Sequence, residues 1–234
     1  MEHRNEVTAN VWDSGRWSGE DSANFDFMTR YIAEHIGAHL SFKGKRVLEL
    51  GSGLGRLSYL MLSGGASHVT LVDSSRRAVE ISRGLFSDID KGRYSIIEGD
   101  LFSFDPKEKF DIVFSSGVIE HFKGDDRRRI VSRHIGLASS DALIIHPTDT
   151  LYALFFNNLP MAVSRYGYQR SFSVKEIDGC ISAFNAGCRW THDRFHPFYT
   201  VPLLHNLAPL NRMLDNILPG RLGGLTLTHI KVPQ

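Results

Sequence analysis

At 234 residues and 42% hydrophobic content, the chain is long enough to bury a full core and reads as a single domain, 1–234. Its 27 Lys and Arg against 26 Asp and Glu leave a formal charge of +1, which excludes a broad basic field for nucleic acid or anionic lipid and favours a small-molecule partner. No stretch reaches the about 20 apolar residues of a membrane helix, and the polar start MEHRNEVTANVWDSG lacks an apolar signal core, so a cytoplasmic protein without membrane contact is expected.

In chain order, Met28, Tyr31, Ile32, His35, Ile36 and Leu40 recur at helical steps, behind a cap at Asp21 or Ser22. Short β-rich runs follow at Arg46–Leu50, His68–Val72, Arg93–Ile97, Phe110–Phe114 and Ala142–His146, and helical segments separate most of them. That alternation predicts a parallel sheet with right-handed crossovers, whose ligands sit at the C-terminal ends of the strands. Beyond Thr148, SVKEIDGCISAFNAG predicts a helix stopped by Gly187 and CRWTHDRF a strand. TVPLLHNLAPLNRMLDNIL follows as helix broken at Pro209, with a stripe from Leu203 to Leu218 that faces the core, a pocket or a dimer partner, and GLTLTHIKV is the last strand. The run DDRRRIVSR reads as a solvated helix face. Cys180 and Cys188 read as two reduced, small apolar residues.

The stretch VLELGSGLGRLS sets Gly51, Gly53 and Gly55 at alternate positions after the first strand. Such a turn aims backbone N–H groups at a ligand beside a helix N-terminus, or is a tight turn and no more. A dinucleotide fingerprint needs G-x-G-x-x-G and a phosphate loop ends in Gly-Lys-Ser/Thr; here Arg56 and then Leu57 stand in those places. Asp73 closes the second strand, where an acid accepts the two hydroxyls of a ribose or caps the helix that follows. Asp100 follows the third strand and either accepts from an exocyclic amine or caps a turn.

Glu49, the alternating glycines, Asp73, Asp100 and FDIVFSSGVIEHF together resemble the class I S-adenosylmethionine-dependent methyltransferases over about residues 46 to 146, in the branch of ubiquinone and menaquinone biosynthesis enzymes. The resemblance implies a Rossmann-like α/β sandwich with a seven-stranded, mostly parallel sheet and an antiparallel last strand. It implies a partition into an N-terminal helical lid (1–45), a cofactor-binding core (46–146) and acceptor-side additions with the final strands (147–234). S-adenosylmethionine would be held by Glu49, Gly51, Ser52, Gly53 and Gly55, with Asp73 and Ser74 at the ribose and Asp100 and Leu101 at the adenine. Ser115, Gly117 and Val118 would line the cofactor, and S-adenosylhomocysteine would be the product. His121 matches the pattern too, as a pocket residue or a structural one. Where such chains carry Pro-Gly-Gly before the fifth strand, Ser139, Ser140 and Asp141 stand here as turn formers.

A sulfonium methyl is already activated, so the protein chiefly aligns a nucleophile and excludes water. For a hydroxyl or amine acceptor the expected base is His146, oriented by Asp149, with His121 second; each reads equally as a satisfied polar residue. Trp12 and Trp17 close over the site or anchor a loose terminus, and Tyr152, Tyr168, Arg170 and His196 offer a flat or aromatic acceptor its contacts. Absent are the Asn/Asp-Pro-Pro-Tyr of amino-methylating nucleic-acid enzymes, the Pro-Cys of cytosine enzymes, and an acidic pair for magnesium, so no metal is expected. The expected activity is metal-independent methyl transfer to O, N or C of a small metabolite, by a monomer or homodimer. Methylation of protein or RNA, an inactive cofactor-binding regulator, and an NAD-linked oxidoreductase are the alternatives.

Overall fold

Asp26 starts the first described helix, α1 (Phe27–His39), because its Oδ1 accepts the Thr29 amide at 2.7 Å. The cap therefore falls at Asp26 rather than at Asp21 or Ser22. The computed structural model describes residues 25–149, 168–184, 187–196, 207–217 and 223–233, so those two lie outside it. The chain divides into two compact units, Met1–Phe114 and Ser115–Gln234.

In the first unit, α1 turns Tyr31, Ile32 and Ile36 inward and packs on α2 (Arg56–Ser63). Strands β1 (Arg46–Leu50), β2 (His68–Asp73) and β3 (Tyr94–Glu98) run parallel, Leu50 level with Val72 and Asp73 level with Glu98. Four of the five β1 residues, Glu49 among them, are buried, as in a strand covered on both faces. The helix α3 (Arg76–Leu85) begins at Ser75, whose Oγ accepts the Ala78 amide, and it packs on β2 and β3. β4 (Phe110–Ser116) pairs with β1, Val47 beside Ile112.

In the second unit, α4 (Asp126–Leu137) passes straight into β5 (Ala138–Pro147). Ser139, Ser140 and Asp141 are thus strand, not turn: Asp141 pairs with Lys231, and the Val232 amide donates to the Ser140 carbonyl. α5 (Val174–Phe184) lies on α4, and the chain continues through β6 (Arg189–Phe195), α6 (Ala208–Ile217) and β7 (Leu225–Lys231). In α6 the buried position is Asn211, while Ile217 is 63% exposed, so this part of the late stripe does not face a core.

The strands form one seven-stranded sheet in the order β3-β2-β1-β4-β5-β7-β6, with β7 antiparallel to both β5 and β6. It is the α/β arrangement expected, and it collects the ends of β1 to β4 at one edge, where ligands bind such sheets. Among the described residues no helix is long and apolar enough to cross a membrane.

Candidate functional site

The glycine turn of the first unit is rigid for reasons visible in its backbone. Gly51, Gly53 and Gly55 have φ of 69°, 52° and 72°, a region that side chains with a Cβ disfavour. A Cβ on Gly55 would lie 2.6 Å from Leu71 Cδ2. The amides do not point outward as expected. Gly51 and Ser52 donate to the Val72 carbonyl, Gly55 to the Ser52 carbonyl, and Gly53 to Asp73 Oδ2 at 2.7 Å. The turn is stitched to β2, and the amides of Gly51, Ser52, Gly53 and Gly55 are spent inside the protein.

Two acids, Glu49 and Asp73, are tied to that turn or to the helix after it, and a third, Asp100, follows β3. Glu49 is buried, and its Oε2 accepts from the Ser58 amide and, at 2.6 Å, from the Ser58 hydroxyl. Burial pushes its pKa up to about 8 against those two bonds, and the Asp73 charge adds to the rise. Asp73 also accepts the Ser75 amide on Oδ1, so it locks the glycine turn to the start of α3; Ser74 beside it is exposed. Asp100 accepts the amides of Phe102 and Ser103 on Oδ1, which realises the turn-capping reading, and Leu101 is buried next to it.

This geometry decides between ligands. A pyrophosphate needs free N–H donors and no nearby carboxylate; here four of the five amides from Gly51 to Gly55 are committed inward, one of them to Asp73. A ligand that donates hydroxyls, as a ribose does, fits instead, since each Asp73 oxygen can accept more than the one amide it holds. A side chain on Gly53 would meet nothing within 4 Å, so open space lies where that ligand would go.

In the second unit, Ser115 is buried and its Oγ lies 2.8 Å from His134 Nε2. His134 Nδ1 faces the Ile130 carbonyl at 2.7 Å, and a carbonyl only accepts, so Nδ1 carries the proton and Ser115 donates. The hydroxyl expected to line the cofactor is thereby engaged elsewhere, and burial, the main cause, holds His134 down at about 4. Gly117, with φ of 71°, donates its amide to the Ile145 carbonyl, and Val118 leads into the single helical turn Ile119–His121. His121 Nδ1–H donates to the Tyr168 carbonyl at 2.8 Å, and burial lowers its pKa. Lys123 sits 4.0 Å over the Tyr168 ring.

His146 is fully buried at the end of β5. Its Nδ1–H donates to the Pro147 carbonyl at 2.9 Å, so the orienting role expected of Asp149, which is exposed, falls to the histidine's own neighbouring backbone. Burial, the largest influence, brings His146 to about 4, leaving a neutral ring whose Nε2 is a bare lone pair. Its Nε2 has no partner among the described residues.

Several residues passed over in the sequence matter here. Arg127, the first arginine of the run read as solvated, is only 4% exposed. It pairs with both Glu176 oxygens at 2.6 and 2.9 Å, donates to the carbonyls of Arg170 and Ser171, and stacks 3.5 Å from the Phe172 ring centroid. The signal was available: Arg127, Ile130, Val131 and His134 share a helical face, and all are buried. Glu120, part of the VIEH stretch, is buried, and burial pushes it up to about 8 despite the nearby Arg127 charge. Arg170 is exposed, and its amide donates to the Glu120 carbonyl. His196 is buried with a left-handed φ of 56°, its amide on Asp215 Oδ2. Cys180 and Cys188 are free and buried, and burial raises both thiols. Trp12, Trp17 and Tyr152 lie outside the described residues.

A family model described as "Methyltransferase domain" matches residues 47–137. The chain is similar to the Schizosaccharomyces pombe protein "Ubiquinone biosynthesis O-methyltransferase, mitochondrial", 33% identical over 130 residues, which are 52% of this chain and 44% of that protein. It is also similar to "tRNA U34 carboxymethyltransferase" of Chromohalobacter salexigens, 34% identical over 93 residues, or 38% of this chain and 28% of that protein. The matches thus span less than half the length of these curated relatives. Among solved structures, magnesium protoporphyrin IX methyltransferase from Synechocystis PCC 6803 with bound SAH shares the fold, with a TM-score of 0.67, 14% identity, and coverage of 98% of this chain and 100% of that one. Residues 47–137 thus match a methyltransferase domain, and the chain is similar to a ubiquinone biosynthesis O-methyltransferase over about half of its own length.

Proposed function

We propose that the chain methylates a hydroxyl oxygen of a small metabolite with S-adenosylmethionine, without a metal, as a cytoplasmic monomer or homodimer. The observation that carries this reading is the neutral His146, whose protonated Nδ1 is fixed by the Pro147 carbonyl and whose Nε2 lone pair is left to receive an O–H donor.

When bound, the cofactor supplies an electrophilic methyl whose C–S bond breaks with its electron pair staying on sulfur, giving S-adenosylhomocysteine. Glu49 and the turn from Gly51 to Gly55 hold its cationic methionine end, Asp73 and Ser74 its ribose, and Asp100 and Leu101 its adenine. The backbone at Ser115, Gly117 and Val118 lines it. Tyr168, Arg170 and His196 serve the acceptor side, together with Trp12, Trp17 and Tyr152.

His146 receives the acceptor's proton at Nε2. A base with a pKa of about 4 suffices, because the oxygen gains positive charge as the new O–C bond forms and its proton becomes far more acidic. Both the charge of +1 and the O-methyltransferase name of the fission-yeast relative support an uncharged, low-molecular-weight acceptor. The test is incubation with methyl-labelled cofactor and three acceptor pools: hydroxylated aromatic compounds, tRNA, and protein. Label recovered as a methyl ether of a small compound is the expected result; label in tRNA or protein alone contradicts it.

A further inference from the structure

Glu120 Oε2, His146 Nε2 and Ser171 Oγ, all in the second unit, are buried without a hydrogen-bond partner among the described residues. A bare buried polar atom is costly, so three of them mark a place built to be completed by a ligand.

The backbone brings the three together. Gly117 donates to the Ile145 carbonyl, which lays the turn carrying Glu120 against the end of β5 that carries His146. A Cβ on Gly117 would lie 3.7 Å from Glu120 Oε1, so the carboxyl stands beside the end of β4. Arg170 donates to the Glu120 carbonyl, which sets Ser171 against the same turn. Phe172 comes next: its ring centroid is 6.1 Å from that of His146, and its backbone bridges Thr148.

Arg127 fixes this arrangement from behind. One guanidinium reaches the Phe122, Arg170 and Ser171 carbonyls and the Glu176 carboxylate, and it stacks on Phe172. Its charge is answered by Glu176, so it offers no uncompensated cation to an anionic ligand. What remains is a nitrogen that only accepts, a carboxyl and a hydroxyl. A neutral O–H group suits these three atoms, since it donates to one and accepts from another.

We propose that Glu120, His146 and Ser171 form a preorganised niche for the hydroxyl of a neutral acceptor molecule, with Arg127 as the positioning residue that holds them in place. The inference rests on the O-methyl transfer reading. It is tested on the full chain carrying ¹⁵N-labelled histidine, with phenol as probe and benzene and benzoate as controls. Phenol is expected to move the His146 Nε2 resonance, benzene and benzoate to leave it in place, and Glu120→Gln and Ser171→Ala each to weaken the phenol response at least fivefold. Both variants should keep S-adenosylhomocysteine affinity within twofold of the parent. A His146 resonance indifferent to phenol, an equal response to benzene, or variants that bind phenol as the parent does would overturn the niche. Failure of S-adenosylhomocysteine to bind the parent protein, with the phenol response intact, would instead remove the methyl-transfer reading and leave the niche standing.

Discussion

Glu49 and Glu120 are both buried acids, 3% and 2% exposed, and burial pushes both up to about 8; Ser58 gives Glu49 Oε2 two donors, whereas Glu120 Oε2 has none among the described residues. The contrast extends to their surroundings. Around Glu49, Asp73 accepts two backbone amides and the glycine turn has spent its own on β2 and Asp73. Around Glu120, Ser171 and His146 each keep a buried polar atom bare. The glycine turn is tied down by its own hydrogen bonds and offers a fixed shape, whereas the cluster around Glu120 leaves its hydrogen bonding unfinished. A domain that takes one constant cofactor and one particular acceptor would be divided in this way, with pre-formed geometry for the first and an unfilled polar site for the second.

The largest test of that contrast is Arg127→Met. It strips Glu176 and two backbone carbonyls of their partner, and loss of one member of a buried ion pair costs about 3 kcal/mol or more. Chemical denaturation should show that loss, and any variant that still folds should keep cofactor affinity while losing acceptor turnover.

Next comes Asp73→Ala, which removes the proposed ribose partner and frees the Gly53 and Ser75 amides. A loss of about 2 kcal/mol or more, roughly thirtyfold in cofactor affinity, is expected in a calorimetric titration. His146→Ala should lower turnover at saturating cofactor and leave that affinity nearly unchanged. Equal losses of affinity in the two variants would dissolve the division between the units.

Gly55→Ala is smaller, about 1–2 kcal/mol for forcing a Cβ into left-handed backbone, with a close approach to Leu71 added. It should lower the melting temperature of the whole protein, since Gly55 opens α2.

The finest probe is pH. An acid raised from an unfolded value near 4.5 to a folded value of about 8 contributes stability that is fully present below 4.5 and is lost as pH rises through 8. His134 and His146, lowered to about 4, act in the opposite sense, their contribution being lost as pH falls from 6.5 through 4. Stability should therefore decline from pH 6.5 to 8. Glu49→Gln should flatten that decline, and a decline as steep as the parent's would show that the Glu49 carboxyl is not protonated in the folded chain.

Much of the first unit was legible because its signals are local. Apolar runs such as Val47–Leu50 become buried strands whatever lies elsewhere, and three alternating glycines require a turn with positive φ. What those glycines do with their amides was not legible, because Val72 and Asp73 come from a strand about twenty residues later. The second unit depended on distant pairing. Ser139–Asp141 have turn chemistry but are held extended by β7, nearly ninety residues on, and Arg127 turns inward for the sake of Glu176 and the Arg170–Phe172 backbone. His146 was singled out correctly as a residue at the end of the fifth strand, but its tautomer is set by Pro147, which residue spacing does not reveal.

The measurement that meets the central claim most directly is calorimetric titration of the purified chain with S-adenosylmethionine, S-adenosylhomocysteine and NAD. A glycine turn with four of its amides committed inward and Asp73 bonded to it should bind the first two at micromolar concentration and leave NAD unbound. Binding of NAD alone would contradict the account, because it would mean that the turn presents donors to a pyrophosphate after all.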